Sequence, residues 1–96
     1  MTIPLPVPSA LVEEFLAEPF GEHSPALRRL MLELRSLPAR GKHVLVEVEP
    51  FRRWRLGRLG GPGEPVRLLA QEFASLEDGE RHVFRLRLAA LEAKAT

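Results

Sequence analysis

The sequence predicts an α+β domain with the element order α-α-β-β-β-α. Two segments within the first 38 residues carry apolar residues at helical spacing, residues 41–59 alternate with a period of two, and helical spacing returns after Ser75. We expect a three-stranded, mostly antiparallel sheet packed on one face by a C-terminal helix. The two N-terminal helices should pack alongside.

The first eight residues predict a proline-rich arm, because Ile3, Leu5 and Val7 each stand before a proline. Proline fixes its own φ and restricts the residue before it to extended backbone. The arm can lie on its own domain or on a partner chain, and the first is the more common arrangement for a terminus. Residues 9–94 are expected to form one small domain, since 96 residues support a single core.

Two helices are predicted before residue 38. Ser9 is the expected N-cap of the first, which should end near Glu18, and Ser24-Pro25 supplies a cap and a first-turn proline for the second. Each helix has one apolar stripe. The stripes consist of Leu11, Val12, Phe15 and Leu16 in the first helix and Leu27, Leu30, Met31 and Leu34 in the second.

Residues 41–59 predict a β-hairpin that turns at Pro50 and Phe51. Val44, Val46 and Val48 alternate with Leu45 and polar residues, which predicts a half-buried strand in a hairpin whose apolar face must be covered. The alternation does not decide which face of the hairpin is buried. A glycine-rich turn at residues 60–63 leads to a third strand between Pro65 and Phe73.

Ser75 predicts the start of the last helix, which should extend to about Lys94. It is followed in the first turn by Glu77 and Asp78, where the helix dipole favours negative charge. Gly79 lies on the apolar stripe of this helix, where glycine costs about 1 kcal/mol relative to alanine. We expect it to permit close approach of the helix to the sheet.

The amino-acid composition makes several classes of function less favoured. The net charge of +1 gives no overall attraction to nucleic acid or anionic lipid, and the lack of cysteine excludes disulfides and thiolate chemistry. No secretory signal or membrane-length apolar run is present, so we expect a cytoplasmic protein that does not contact membrane. The excess of arginine over lysine and the scarcity of amides are typical of a GC-rich or thermophilic bacterium.

No catalytic, cofactor-binding or metal-binding residue is predicted. His23, His43 and His82 lack the i, i+4 spacing of a zinc pair, and no phosphate-loop or nucleophile-elbow motif is present. The acid pairs Glu13-Glu14 and Glu47/Glu49 are expected to be solvated charges.

The hairpin carries the candidate interaction residues Phe51, Arg52, Arg53, Trp54, Arg55 and Arg58. Arginine and aromatic residues suit protein interfaces, and they can also contact phosphates and stack bases. Strand alternation separates Arg53 and Arg55 from Trp54 and Arg58, and Glu47 and Glu49 can neutralise arginines across the strands. We expect Trp54 to pack beneath the last helix and Phe51 to be the more exposed.

Several segments, in order along the chain, resemble the small (alpha) subunit of N,N-dimethylformamidase. They are Val12-Glu13-Glu14, Glu18-Pro19-Phe20-Gly21, His23-Ser24-Pro25, Gly41-Lys42, Trp54-Arg55-Leu56-Gly57 with an aromatic three residues ahead, Phe73, Ser75 and Val83-Phe84-x-x-Arg87. In that family the large subunit carries the mononuclear iron and hydrolyses the amide. The resemblance therefore implies an accessory chain and transfers no catalytic residue.

The sequence thus predicts a non-catalytic protein-interaction module or small accessory subunit without a cofactor. Its partner would be a second copy of itself or a larger subunit. The alternative is a nucleic-acid-binding module that uses the Arg/Trp face of the hairpin, which the near-zero net charge makes less favoured.

Overall fold

The computed structural model describes residues 5–94 and confirms the predicted α+β class and element order. Residues 1–4, half of the predicted arm, lie outside this range. The three strands form one antiparallel sheet in the order β1-β2-β3. The elements are α1 (Ser9–Ala17), α2 (Pro25–Arg35), β1 (His43–Glu49), β2 (Arg53–Arg58), β3 (Arg67–Phe73) and α3 (Leu76–Lys94).

Serine side chains begin two of the helices, as predicted. The hydroxyl of Ser24 accepts a hydrogen bond from the Leu27 amide at 3.2 Å, with proline at the first position of α2. The hydroxyl of Ser75 accepts from the Asp78 amide at 3.3 Å at the start of α3. Each bond satisfies an amide that has no partner within the helix.

The prediction that Ser9 caps α1 is wrong. The helix already includes Ser9, and the cap position is occupied by Pro8, which makes no side-chain cap bond. Pro8 has φ −56° and ψ 133°. This is the extended backbone that a cap position requires, so the helix begins one residue earlier than the serine signal indicates.

The main apolar core lies among the three helices. The rings of Phe15 in α1 and Phe84 in α3 stack with centroids 4.1 Å apart. Val7 belongs to the same core, and its amide donates to Glu92 Oε2 of α3 at 3.1 Å. The buried members of this core are Val7, Phe15, Leu27, Leu30, Leu34 and Phe84.

The sheet packs on α3, which contacts all three strands. A Cβ atom added at Gly79 would lie 2.7 Å from Leu45 Cδ1 of β1, closer than side chains can approach. The predicted close approach at this glycine is therefore confirmed. Leu45 is paired with Leu56, and the two leucines lie on the face of the sheet that α3 covers.

Val44 and Val46 of β1 lie on the face that α3 leaves open, which answers the question of which face of the hairpin is buried. Val48 is exposed on this strand, and Val66 and Leu68 are exposed in and beside β3. Alternation identifies two faces of a strand but does not say which one a distant helix covers. Leu45 meets that helix where α3 comes closest to the sheet, at Gly79.

Candidate functional site

The tip of the β1–β2 hairpin is a four-residue turn with an exposed aromatic ring. The amide of Arg52 donates to the Glu49 carbonyl at 3.0 Å, which closes the turn around Pro50 and Phe51. Phe51 has φ 62°, and 89% of its surface is exposed. We call Phe51 with its two flanking residues, Pro50 and Arg52, the hairpin tip.

The backbone of Phe51 is unusual for its residue type. Proline at the second position and positive φ at the third are typical of a type II turn, in which glycine or asparagine is the preferred third residue. A left-handed conformation costs an ordinary side chain about 1–2 kcal/mol. An exposed phenylalanine held in this conformation therefore lowers the stability of the fold, and strained residues of this kind cluster at functional sites.

Acidic residues surround two of the predicted interaction arginines. Arg53 contacts Glu49 at 2.9 Å and Glu72 at 3.4 Å, and Arg52 lies 3.7 Å from Glu49. The predicted cross-strand pairing of arginines with acids is confirmed at Glu49. These pairs are partly exposed, so each contributes little to stability, but they reduce the positive charge beside the turn.

The other two predicted interaction arginines, Arg55 and Arg58, donate hydrogen bonds to backbone carbonyls. Arg55 Nε donates to the carbonyl of Leu69 in β3, and Arg58 Nε donates to the carbonyl of Gly41 at 3.0 Å. The strand register confirms that Arg53 and Arg55 lie on the face opposite Trp54 and Arg58. The guanidinium groups thus help to hold neighbouring segments together.

Trp54 is half-buried on the face that α3 covers, whereas Phe51 is exposed, as predicted. Trp54 is paired with Phe73, whose ring lies 5.3 Å from that of His82 in α3. Trp54 therefore belongs to the contact between sheet and helix. It does not share a surface with Phe51.

The six predicted interaction residues do not form one surface. Phe51 and Arg52 lie at the hairpin tip, Arg53 and Arg55 lie on the open face, and Trp54 faces α3. Arg58 lies at the other end of the hairpin, paired with His43. Of these six residues, only Phe51 combines an exposed apolar ring with a backbone held in a closed turn.

Comparison with protein-family models tests the resemblance to the N,N-dimethylformamidase alpha subunit. The family model described as the N,N-dimethylformamidase alpha subunit matches residues 4–96. The chain belongs to this family. A comparison with curated proteins gave no match.

The described residues 5–94 contain no group of three His, Asp or Glu side chains placed to hold a metal ion. No helix in the same range is both long and apolar enough to cross a lipid bilayer.

The structure contains an apolar groove that the sequence patterns did not predict. A groove of about 500 Å³ lies between α2 and the loop that precedes it. Phe20 and Leu32, which line it, are 59% and 57% exposed. Two signals were available: Leu32 falls outside the apolar stripe of α2, and Phe20 stands between Pro19 and Gly21 in a loop, where an aromatic has no helical core to join.

Proposed function

We propose that this chain is a non-catalytic accessory subunit that binds a larger, catalytic subunit of an amide hydrolase. The hairpin tip is the docking element, with Phe51 as the anchoring side chain. Family membership supports the accessory role, because the matched family is described as an alpha subunit and such a subunit functions beside others. The observation that carries the choice of the tip is the exposed ring of Phe51 at φ 62°.

Burial of the Phe51 ring in a pocket of the larger subunit would contribute free energy of binding. Transfer of a phenylalanine side chain from water to an apolar pocket stabilises by about 1.5–3 kcal/mol. The closed turn already orders the backbone beneath the ring, which reduces the entropy lost on binding. Arg52 and its partner Glu49 would then form a polar rim beside the buried aromatic.

The experiment is co-purification from the native cell with tagged wild-type chain and tagged Phe51→Gly. We expect the wild type to retain a larger amide hydrolase subunit through size-exclusion chromatography and Phe51→Gly to lose it. Glycine suits the positive φ, so this variant should fold. Leu68→Ala is the matched control, because it removes another exposed apolar side chain, in β3, outside both the hairpin and the apolar groove.

The non-catalytic role has its own test. We expect the purified wild-type chain to leave N,N-dimethylformamide intact, and the complex with the larger subunit to hydrolyse an amide. Hydrolysis by the chain alone would overturn this part of the proposal.

Other binding outcomes separate the alternatives. A wild-type chain that is strictly monomeric and retains no larger subunit contradicts docking, and retention of a second copy alone indicates self-association.

A gel shift with random DNA and RNA at low salt tests the nucleic-acid alternative. We expect no retardation, because Arg52 and Arg53 lie beside the carboxylate of Glu49.

A further inference from the structure

A recess rich in cations lies at the end of the hairpin opposite Phe51. Its volume is about 230 Å³, and part of its lining is apolar, from Leu37, Pro38 and Ala90. We call it the cationic recess. Its basic residues are Arg40, Lys42, His43, Arg87 and Lys94.

We propose that the cationic recess binds a multiply charged oxyanion, such as a phosphate group. This inference does not depend on docking to a larger subunit.

The charge in the recess is local. The chain as a whole has a net charge of only +1, yet basic side chains from two separate segments line one small volume with no acidic side chain among them. Arg40 and Lys42 come from the linker before β1, His43 begins β1, and Arg87 and Lys94 come from α3. Such a concentration of one sign of charge attracts and retains counter-ions.

Most of these cations have no carboxylate partner. Arg40 lies 3.5 Å from Glu64, but no carboxylate between residues 5 and 94 comes within 4 Å of Lys42, Arg87 or Lys94. Arg87 Nε donates to the His43 carbonyl at 3.1 Å, which leaves both terminal amino groups of its guanidinium for a ligand. Lys42 Nζ donates one proton to the Arg35 carbonyl and keeps two others.

The electrostatics of the recess favour an anion. Burial lowers the pKa of Lys42, and the charges of Arg87 and Arg35 lower it further. Burial also lowers the pKa of His43, followed by repulsion from Arg58 of β2 and from His82 and Arg87 of α3. The pKa of Arg87 is lowered by burial and by Arg35, although Glu80 raises it in part. An anion between these groups would relieve their mutual repulsion.

The number of positively charged side chains in the recess indicates the charge of the ligand. Lys42 and Lys94 carry two positive charges with no carboxylate within 4 Å between residues 5 and 94, and Arg87 adds a third that Glu80 offsets only in part, so a dianion leaves less uncompensated charge than a monocarboxylate. Arginine and lysine are both common phosphate-binding residues. The apolar part of the lining, at Leu37 and Ala90, is suited to an organic substituent on the phosphate.

The experiment titrates the full chain with inorganic phosphate at constant ionic strength by isothermal calorimetry and NMR. We compare the wild type with Lys42→Gln/Lys94→Gln and with the control Arg29→Gln/Arg85→Gln. Both double variants lose two positive charges, but the control positions are exposed and outside the recess. We expect phosphate binding to weaken about tenfold in the first variant and to remain as in wild type in the second.

Three further measurements keep the test specific. Phosphate should raise the pKa of His43 in the wild type, because His43 lines the recess, and the NMR signals of His23, which lies outside it, should not move. If Lys42→Gln disturbs the fold, Lys94→Gln alone, at an exposed position near the end of α3, should still weaken binding. Phenyl phosphate that binds more tightly than inorganic phosphate would support an organic ligand, and equal affinities would support the free ion.

Three results would overturn the proposal. They are no saturable phosphate binding by the wild type, equal weakening in the recess and control variants, or acetate binding as tightly as phosphate at the same ionic strength. None of them bears on whether Phe51 binds a larger subunit.

Discussion

The carboxylate of Glu14 in α1 accepts two hydrogen bonds from Ser24, the residue that caps α2. The Ser24 amide donates to Oε2 of this carboxylate at 2.7 Å, and the Ser24 hydroxyl donates to Oε1 at 2.7 Å. The expectation that Glu14 would be a solvated charge is therefore wrong. The carboxylate joins the first two helices at the positive end of the α2 dipole, where negative charge is favoured.

Acid should weaken this junction. The hydrogen bonds from the Ser24 amide and then its hydroxyl lower the pKa of Glu14, although burial opposes them slightly. A lowered folded-state pKa means that the stabilisation is present above the ordinary glutamate pKa of about 4.3 and is lost as the pH falls through the folded value. In urea unfolding from pH 7 to pH 3, Glu14→Gln should lose part of the acid dependence that the wild type shows.

Glu13→Gln is the control for this titration, because the adjacent Glu13 is exposed. We expect it to retain the acid dependence of the wild type. Equal curves for Glu14→Gln and wild type across the whole range would show that the two hydrogen bonds to Ser24 contribute nothing to folding.

A larger side chain at Gly79 should force α3 away from the sheet. A Cβ there would lie 2.7 Å from Leu45 Cδ1, so Gly79→Leu overpacks the contact and should lower the free energy of unfolding by about 1–3 kcal/mol. Ala89→Leu, at an exposed position on the same helix, should change it by less than about 0.5 kcal/mol. Urea unfolding monitored by circular dichroism measures both, and matching values for the two variants would remove the packing argument.

Local signals were sufficient for the elements of this fold. The caps at Ser24 and Ser75 depend on residues within one helical turn, and the hairpin depends on alternation within a single segment. The face that α3 covers could not be predicted in this way. It depends on Gly79 meeting Leu45, a contact between residues 34 positions apart.

The candidate site was predictable only in part. Phe51 was expected to be exposed, but its positive φ was not, because phenylalanine carries no signal for that conformation. The cationic recess was missed because its residues come from two distant stretches of the chain, 37–43 and 87–94, which meet only after folding. Arg40 and Lys94, for example, are 54 positions apart yet line the same recess.

Glu80 should oppose folding at neutral pH. It is half-buried in α3, and burial raises its pKa, an effect that attraction to Arg87 only partly reverses. The folded state therefore favours the protonated acid, and stability is lost as the pH rises from the ordinary value through the raised one. Glu80→Gln should raise the melting temperature at pH 7 and leave it near the wild-type value at pH 4.

Glu33→Gln, at an exposed position on α2, is the control for Glu80 and should leave the melting temperature unchanged at both pH values. A melting temperature that falls at pH 7 in Glu80→Gln would mean that its attraction to Arg87 outweighs the cost of burial.

The conformation of Phe51 makes a prediction about stability that is separate from binding. Glycine removes the left-handed strain of about 1–2 kcal/mol but adds entropy to the unfolded chain, so Phe51→Gly should raise the free energy of unfolding by roughly 0.5–1 kcal/mol. Phe51→Ala keeps the strain and should show no such gain, which makes it the control for loss of the ring. Urea unfolding measures both. A Phe51→Gly chain less stable than wild type would mean that the ring contributes to the fold, and loss of the larger subunit would then no longer identify Phe51 as a docking residue.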